Sequence, residues 1–280
     1  MTKSSMLSNC YTPVKVAAPS EDGDEGNTPE QQQRTNGDGE PRTNETLRRL
    51  CLETSVLSSS KPGSSLVELG HTKILCHVSL GVDGNHAQVD SGVLLVRVSQ
   101  AANFGMPPPS AVSTLDKGVA RSNNKAAMSQ SVDMEARLHA ALLPALNLAD
   151  YRKTVIQVEV VVLQNDGSLL SACLLAATLA LCDARVELYD VVTCCEVVVV
   201  AAEESSEGAL KLSLLADPTL AEEEAALAKL TLAIMPNWKE VTLWQQSGAI
   251  PDLDAAMTLC RDGCRTLQRF LRQHLMEKEQ

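Results

Sequence analysis

Residues 154 to 192, TVIQVEVVVLQNDGSLLSACLLAATLALCDARVELYDVV, decide the fold. The segment opens with alternating side chains from Ile156 to Val162, and this period of two is typical of a β-strand. Asn165, Asp166 and Gly167 follow, and these residue types tolerate the backbone angles of a tight turn. The strand is therefore predicted to end at this turn.

Residues 168–183 are predicted to form a buried helix. Apolar side chains lie on nearly every face, which indicates packing against more than one layer; they are Leu169, Leu170, Cys173, Leu174, Leu175, Leu179 and Leu181. A transmembrane helix needs about 20 consecutive apolar residues. Because Ser168, Ser171 and Thr178 interrupt a run that is already shorter, a membrane span is not predicted.

Strand and helix patterns continue on both sides of this segment. Before it, a hairpin is predicted at 65–70 and 72–81, a strand at 93–98 and a helix at 131–145. Residues 101–131 are irregular because Pro107, Pro108 and Pro109 exclude both helix and ladder. After it, strands are predicted at 191–201 and 210–215, an acidic turn at 222–228, a hairpin at 230–235 and 240–244, and a long amphipathic helix from Asp252 or Asp254 to about Leu275.

Composition divides the chain into a tail and a body. Residues 1–43 are rich in Ser, Pro, Gly, Gln and acidic residues, so they bury too little apolar surface to offset their ordering entropy. We predict a disordered tail at 1–43, one α+β body at 44–275, and a short C-terminal tail at 276–280. Within the body, the first half is predicted at about 44–153 and the second at about 154–275.

Charge and aromatic content limit how the chain alone binds nucleic acid. The formal net charge is -11, of which the body carries -8, and aromatic residues make up only 2% of the chain. An acidic surface repels phosphate, and single-strand binders stack bases on aromatic side chains. Contacts with RNA are therefore expected from a local basic patch or from partner subunits.

Nine cysteines raise the question of disulfides or a metal site. No secretory signal is visible, and an odd cysteine count fits reduced intracellular thiols. Cys260 and Cys264 are four residues apart, so they lie on one face of a helix, where they could bind a metal or pack in the core. Ala256, Leu267 and Leu271 lie on the same face, which favours core packing. No Cys-x-x-Cys pair occurs, so neither a structural zinc nor any cofactor is predicted.

Several motifs resemble the ribonuclease PH family. The strand, LQNDG and the small-residue helix ending in ALCDARVELYDVV are similar to the second half of that fold. GSSLVELGHTKILCHV at 63–78, DPTLAEEE beginning at Asp217 and LAIMP ending at Pro236 extend the resemblance over residues 44–275. The resemblance implies a ribonuclease PH-like fold in which two βαβ-type halves, each a sheet with helices, pack together.

The resemblance also places the chemistry of phosphorolysis. In catalytic relatives, phosphate sits on Gly-Thr-Arg at a helix N-terminus; this chain has Ser168, Leu169 and Leu170, so the phosphate site is expected to be degenerate. Asp217 and Glu223 are the vestigial catalytic candidates, and Lys229 is expected to neutralise neighbouring acids and displace a metal. No metal site is expected.

An arginine cluster holds the RNA in catalytic relatives. Its Arg-Arg pair corresponds here to Ser129 and Gln130, whereas Arg121 and Lys125 remain nearby. These two cations are candidates for RNA contact, with solvated loop charges as the alternative.

With these departures from the catalytic pattern, the resemblance implies a catalytically inactive structural subunit of the six-membered ring of the eukaryotic exosome, acting in RNA processing and degradation. The expected partners are other ribonuclease PH-like subunits, cap subunits with RNA-binding domains and RNA in the channel, in the nucleus, nucleolus and cytoplasm. The alternative is an active phosphorolytic 3′–5′ exoribonuclease that uses Asp217 and Glu223.

Overall fold

The computed structural model describes residues 10–11, 34–35, 41–57, 62–82, 90–100, 131–202 and 211–278. Its strands are β1 (Cys10–Tyr11), β2 (Arg34–Thr35), β3 (Pro41–Arg42), β4 (Leu50–Thr54), β5 (Gly63–Leu69), β6 (Thr72–Gly81), β7 (Val93–Gln100), β8 (Val155–Gln164), β9 (Thr193–Ala202), β10 (Lys211–Ala216), β11 (Ala228–Met235) and β12 (Glu240–Ser247). Its helices are α1 (131–142 within the described residues), α2 (Leu169–Asp183), α3 (Leu220–Glu224) and α4 (Leu253–Lys278). Short 3₁₀ turns lie at Leu143–Ala145 and Leu148–Asp150.

Two sheets carry most of the strands. The first has the order β1-β4-β5-β6-β8-β7, in which only the β7–β8 pair is parallel. The second is antiparallel with the order β10-β9-β11-β12, while β2 and β3 form a separate pair. Each sheet contains one βαβ crossover, because α1 lies between β7 and β8, and α3 lies between β10 and β11. The predicted fold class is confirmed.

Helix α2 lies between the two sheets. Its polar side chains are satisfied by backbone carbonyls on its second-sheet side, since Ser171 donates to Cys194 O and Thr178 donates to Val192 O at 3.0 Å. On the first-sheet side, Ser65 donates to the Ala176 carbonyl at 2.7 Å. The prediction of a helix buried against more than one layer is therefore confirmed.

Close packing of α2 on β5 requires a glycine. A Cβ atom on Gly63 would lie 2.3 Å from the Ala180 carbonyl oxygen and 2.4 Å from the Ala184 nitrogen. The strand and the helix therefore approach backbone to backbone at this point.

The structure differs from three predicted boundaries. The first is the boundary between the two halves, predicted between residues 153 and 154. Strand β8 belongs to the first sheet, so the two sheets divide after Gln164. The prediction failed because alternation identifies a strand but not the strands with which it pairs. Residues 34–35 and 41–43 are part of the body despite their polar composition, because the strand pair β2–β3 holds two arginines against it. Helix α4 continues to Lys278, which pairs with Asp183 at 3.0 Å, so the helix runs past its predicted end at about Leu275 and into the predicted C-terminal tail.

The cysteines are mostly buried in the core. Cys76, Cys173, Cys182, Cys194, Cys195, Cys260 and Cys264 are free, and the last two belong to the core stripe of α4. Cys51 is disulfide-bonded, so the prediction of reduced thiols is wrong at that residue. Among the described residues, no helix has the length and apolar character needed to cross a membrane.

Candidate functional site

The N-terminus of α2 holds a carboxylate from the same chain. Ser168 is the N-cap residue, is fully buried and has a φ of 48°. Its backbone N–H donates to Glu223 Oε1 at 2.6 Å, and its hydroxyl donates to the Pro218 carbonyl at 3.1 Å. One of the amides at this helix start, where an anion is favoured, is therefore already bonded to Glu223.

Gly167 lets α3 approach this helix start. Its φ is +86°, and an added Cβ atom would lie 2.5 Å from both the Pro218 oxygen and the Thr219 carbonyl carbon. Only glycine fits both the backbone angle and the space. The turn before α2 and the segment that carries Glu223 are thus packed against each other.

A cavity of about 230 Å³ lies beside this carboxylate. Leu169 and Leu170 both line it, and Leu170 is only 4% exposed. The remaining lining is largely polar and consists of Met134, Arg137, Asn165, Glu196, Glu223, Lys229, Thr231, Gln245 and Ser247. Apolar side chains therefore stand at the two positions after Ser168.

Lys229 neutralises the acids of the cavity. Its ammonium group contacts Glu223 Oε2 at 3.1 Å and also contacts Glu196, which confirms the expectation that this lysine pairs with neighbouring acids. Burial raises the pKa of Glu196, and Lys229 offsets this only in part. Burial lowers the pKa of Lys229, but the two carboxylates outweigh it, so the pKa of Lys229 is raised. The lysine is therefore a fixed cation between two carboxyl groups.

Asp217 is an ion-paired residue of the core. Arg48 donates to it from Nε at 3.1 Å, from Nη2 at 2.9 Å and from its backbone N–H at 2.8 Å, and Arg42 Nη1 lies 3.8 Å away. Burial raises the pKa of Asp217, but the two arginines outweigh burial and lower it from 3.8 to about 2. The residue is 3% exposed, so this catalytic candidate is buried in ion pairs.

Arg48 connects this aspartate to the turn before α2. Its guanidinium donates to the Asp166 carbonyl at 2.6 Å and to the Gly167 carbonyl at 3.1 Å. Thr72 donates to the same Gly167 carbonyl at 2.8 Å and accepts from the Asp166 N–H at 2.9 Å. One buried arginine therefore fixes the position of the site's turn relative to Asp217.

Two further arginines bind the acidic segment 217–224. Arg34 contacts both oxygens of Glu222 at 2.6 and 2.8 Å, and Arg42 contacts Glu222 at 3.2 Å and donates to the Asp217 carbonyl at 3.0 Å. Glu222 also completes a capping box with Thr219 at the start of α3. Both arginines come from residues predicted to be a tail, so sequence reasoning missed them.

The acidic side chains of the site are paired with lysine and arginine side chains. In the described ranges, no group of three or more His, Cys, Asp or Glu side chains is suited to hold a metal ion. Arg137, which was not predicted, lines the cavity and has no hydrogen-bond or ion-pair partner among the described residues. Arg121 and Lys125, like Ser129 and Gln130, lie outside the described residues.

Comparison with known proteins identifies the family. Residues 46–187, about half of the chain, match the sequence model of the 3′ exoribonuclease family, domain 1 (RNase PH). Human Exosome complex component MTR3 is 32% identical over 250 residues, covering 82% of this chain and 83% of that protein. The chain belongs to the ribonuclease PH family. Among other ribonuclease PH relatives, Exosome complex component Rrp41 of Nitrosopumilus maritimus is 28% identical over 242 residues, covering 85% of this chain and 89% of that protein. The crystal structure of rice Rrp46 has the same fold, with a TM-score of 0.64 at 18% identity over 84% of this chain and 98% of that one. The predicted family is confirmed.

Proposed function

We propose that this chain is a non-catalytic subunit of an exosome-type ring of six ribonuclease PH-like chains, which passes RNA to an associated nuclease. The similarity to human Exosome complex component MTR3 supports the exosome assignment. The hydrogen bond between the Ser168 N–H and Glu223 supports the absence of catalysis, because the chain's own carboxylate fills the anion position.

Phosphate binding at this helix start is unfavourable for two physical reasons. A phosphate must displace Glu223 and separate it from Lys229, and the freed carboxylate then repels the incoming anion. Leu170 also provides no cation in place of the arginine expected from the family resemblance. A bidentate arginine makes two charge-assisted hydrogen bonds to phosphate, and each contributes about 1.5–3 kcal/mol. Losing both is expected to reduce the rate of phosphorolysis by about a hundredfold or more.

The alternative of an active exoribonuclease requires Asp217 and Glu223 to be available. Arg48 binds both oxygens of Asp217, and Glu223 is held by Ser168 and Lys229. A carboxylate that accepts these bonds is a poor metal ligand or proton acceptor, and the lowered pKa of Asp217 weakens it further as a base. We therefore favour the structural role.

The proposed partners follow from the ring assignment. They are other ribonuclease PH-like subunits, cap subunits with RNA-binding domains, and RNA that passes through the channel, with Arg121 and Lys125 proposed as RNA contacts. We place the assembly in the nucleus, including the nucleolus, and in the cytoplasm, where it would act in rRNA maturation and mRNA turnover.

Affinity purification of the tagged chain from its source cells, followed by mass spectrometry, tests the assembly. Five other ribonuclease PH-like chains are expected to co-purify, and recovery of the chain without any of them would contradict the ring assignment. The purified assembly then tests catalysis with Glu223→Gln in this chain alone. Release of nucleotides from single-stranded RNA is expected to stay within twofold of wild type, whereas its loss in an intact assembly would reveal a catalytic role.

A further inference from the structure

A groove of about 800 Å³ lies at the edge of the second sheet and shares no lining residue with the cavity described above. Its floor is aliphatic, with Val199 and Leu214 from the sheet and Leu259 from α4. Leu212 on β10 also lines it and is 40% exposed. The groove therefore combines an apolar floor with an accessible strand.

The rim of the groove carries charge of one sign. Glu45, Asp252, Asp254 and Asp262 line it, and the described residues that line the groove include no lysine, arginine or histidine. Asp252 accepts from the Ala255 N–H at 2.9 Å and Asp262 pairs with Arg265 at 3.0 Å. In the part of the chain that the structure describes, Glu45 and Asp254 have no partner, so two carboxylates remain available.

The outer edge of β10 is open along the groove. Within the described sheet, β10 pairs only with β9, and the Ala216 N–H points outward to donate to the Asn44 carbonyl at 2.8 Å. Peptide groups two residues apart in a strand point the same way, so the N–H and C=O groups of Leu212 and Leu214 also point outward. Neither residue has a further hydrogen-bond partner there among the described residues. Open edges of this kind pair with an added strand.

We propose that this groove binds an extended peptide segment of another protein, which pairs with β10 and carries both aliphatic and basic side chains. In an added strand every second side chain faces the groove. Aliphatic residues at those positions contact the floor, and lysine or arginine residues at the flanking positions approach Glu45 and Asp254. The strand supplies backbone hydrogen bonds and the rim selects for positive charge.

Fluorescence anisotropy with a labelled peptide, Arg-Thr-Leu-Thr-Leu-Thr-Lys, tests the proposal on the full chain. Binding is expected to weaken at least tenfold, or about 1.4 kcal/mol, in the double variant Glu45→Lys/Asp254→Lys. The matched control Asp133→Lys/Glu240→Lys changes the net charge equally at exposed residues outside the groove and is expected to stay within twofold. Because all four side chains are exposed, circular dichroism is expected to report the same fold for both variants.

Two modified peptides separate strand pairing from general attraction. Replacing both terminal basic residues by glutamate, or methylating alternate backbone nitrogens, is expected to abolish binding. Equal weakening by the groove and control variants, unchanged binding of either modified peptide, or no binding of the parent peptide would overturn the proposal.

Discussion

Replacing Arg48 by methionine is expected to destabilise the whole fold, because it leaves a buried carboxylate without its main partner. Arg48 and Asp217 are both almost fully buried and are joined by two side-chain hydrogen bonds, and Arg48 also holds the carbonyls of Asp166 and Gly167. Methionine keeps much of the aliphatic volume but donates no hydrogen bond.

The expected loss is about 3–5 kcal/mol, the range for breaking a buried ion pair by removing one partner. The aspartate gives an independent lower estimate. Its pKa falls from 3.8 to about 2 in the folded chain, and a difference of this size corresponds to about 2 kcal/mol at neutral pH. Because the folded pKa is depressed, this contribution is present above about pH 4 and is lost as the pH falls towards 2.

Urea unfolding followed by circular dichroism at pH 7 measures the change, since urea does not screen charges. Arg261→Met on the exposed face of α4 is the matched control and is expected to change stability by less than about 0.5 kcal/mol. Asp217→Asn is expected to remove the acid-dependent component of stability at low pH. A loss of less than about 1 kcal/mol in Arg48→Met would refute the reasoning, because that is the size of an exposed ion pair.

Three further substitutions test separate parts of the site. Lys229→Met leaves buried Glu196 without its cation, so the already raised pKa of Glu196 is expected to rise further. The stability of the variant should then fall as the pH rises above 4.5, the ordinary pKa of a glutamate. Equal stability of the variant at pH 5 and pH 8 would count against this. Gly167→Ala is expected to cost about 2 kcal/mol or more in thermal unfolding, because a Cβ would meet Pro218 and Thr219 at 2.5 Å; an unchanged melting temperature would show that the turn is not so constrained. Arg34→Ala is expected to cost about 1.5–3 kcal/mol and to expose the chain near residue 34 to limited proteolysis, whereas unchanged protease resistance would mean that Arg34 does not hold this segment.

Sequence periodicity was sufficient to predict most of the elements. Alternation predicted β5, β6, β7 and β8, and continuous apolar character predicted α2 between two layers. It did not predict strand partners, because the pattern of β8 is the same whichever sheet it joins. The six-stranded first sheet therefore became visible only in the structure.

The candidate site was predicted in part. Ser168, Leu169, Leu170 and Glu223 do lie together, and Lys229 pairs with acids as expected. Glu196 was missed because it stands within a strand of valines and cysteines, where a single acid gives no pattern. Arg34, Arg42 and Arg48 were missed because each reaches an acid more than 160 residues away in the sequence, and such pairing leaves no local signal.

Equilibrium dialysis against radiolabelled inorganic phosphate tests most directly whether Glu223 occupies the anion position at the start of α2. The wild-type chain is expected to retain no phosphate at millimolar concentrations. Glu223→Ala is expected to show weak, saturable binding, because the Ser168 N–H then has no carboxylate partner and Lys229 keeps only Glu196. Saturable binding of one phosphate by the wild-type chain, unchanged in Glu223→Ala, would contradict the account.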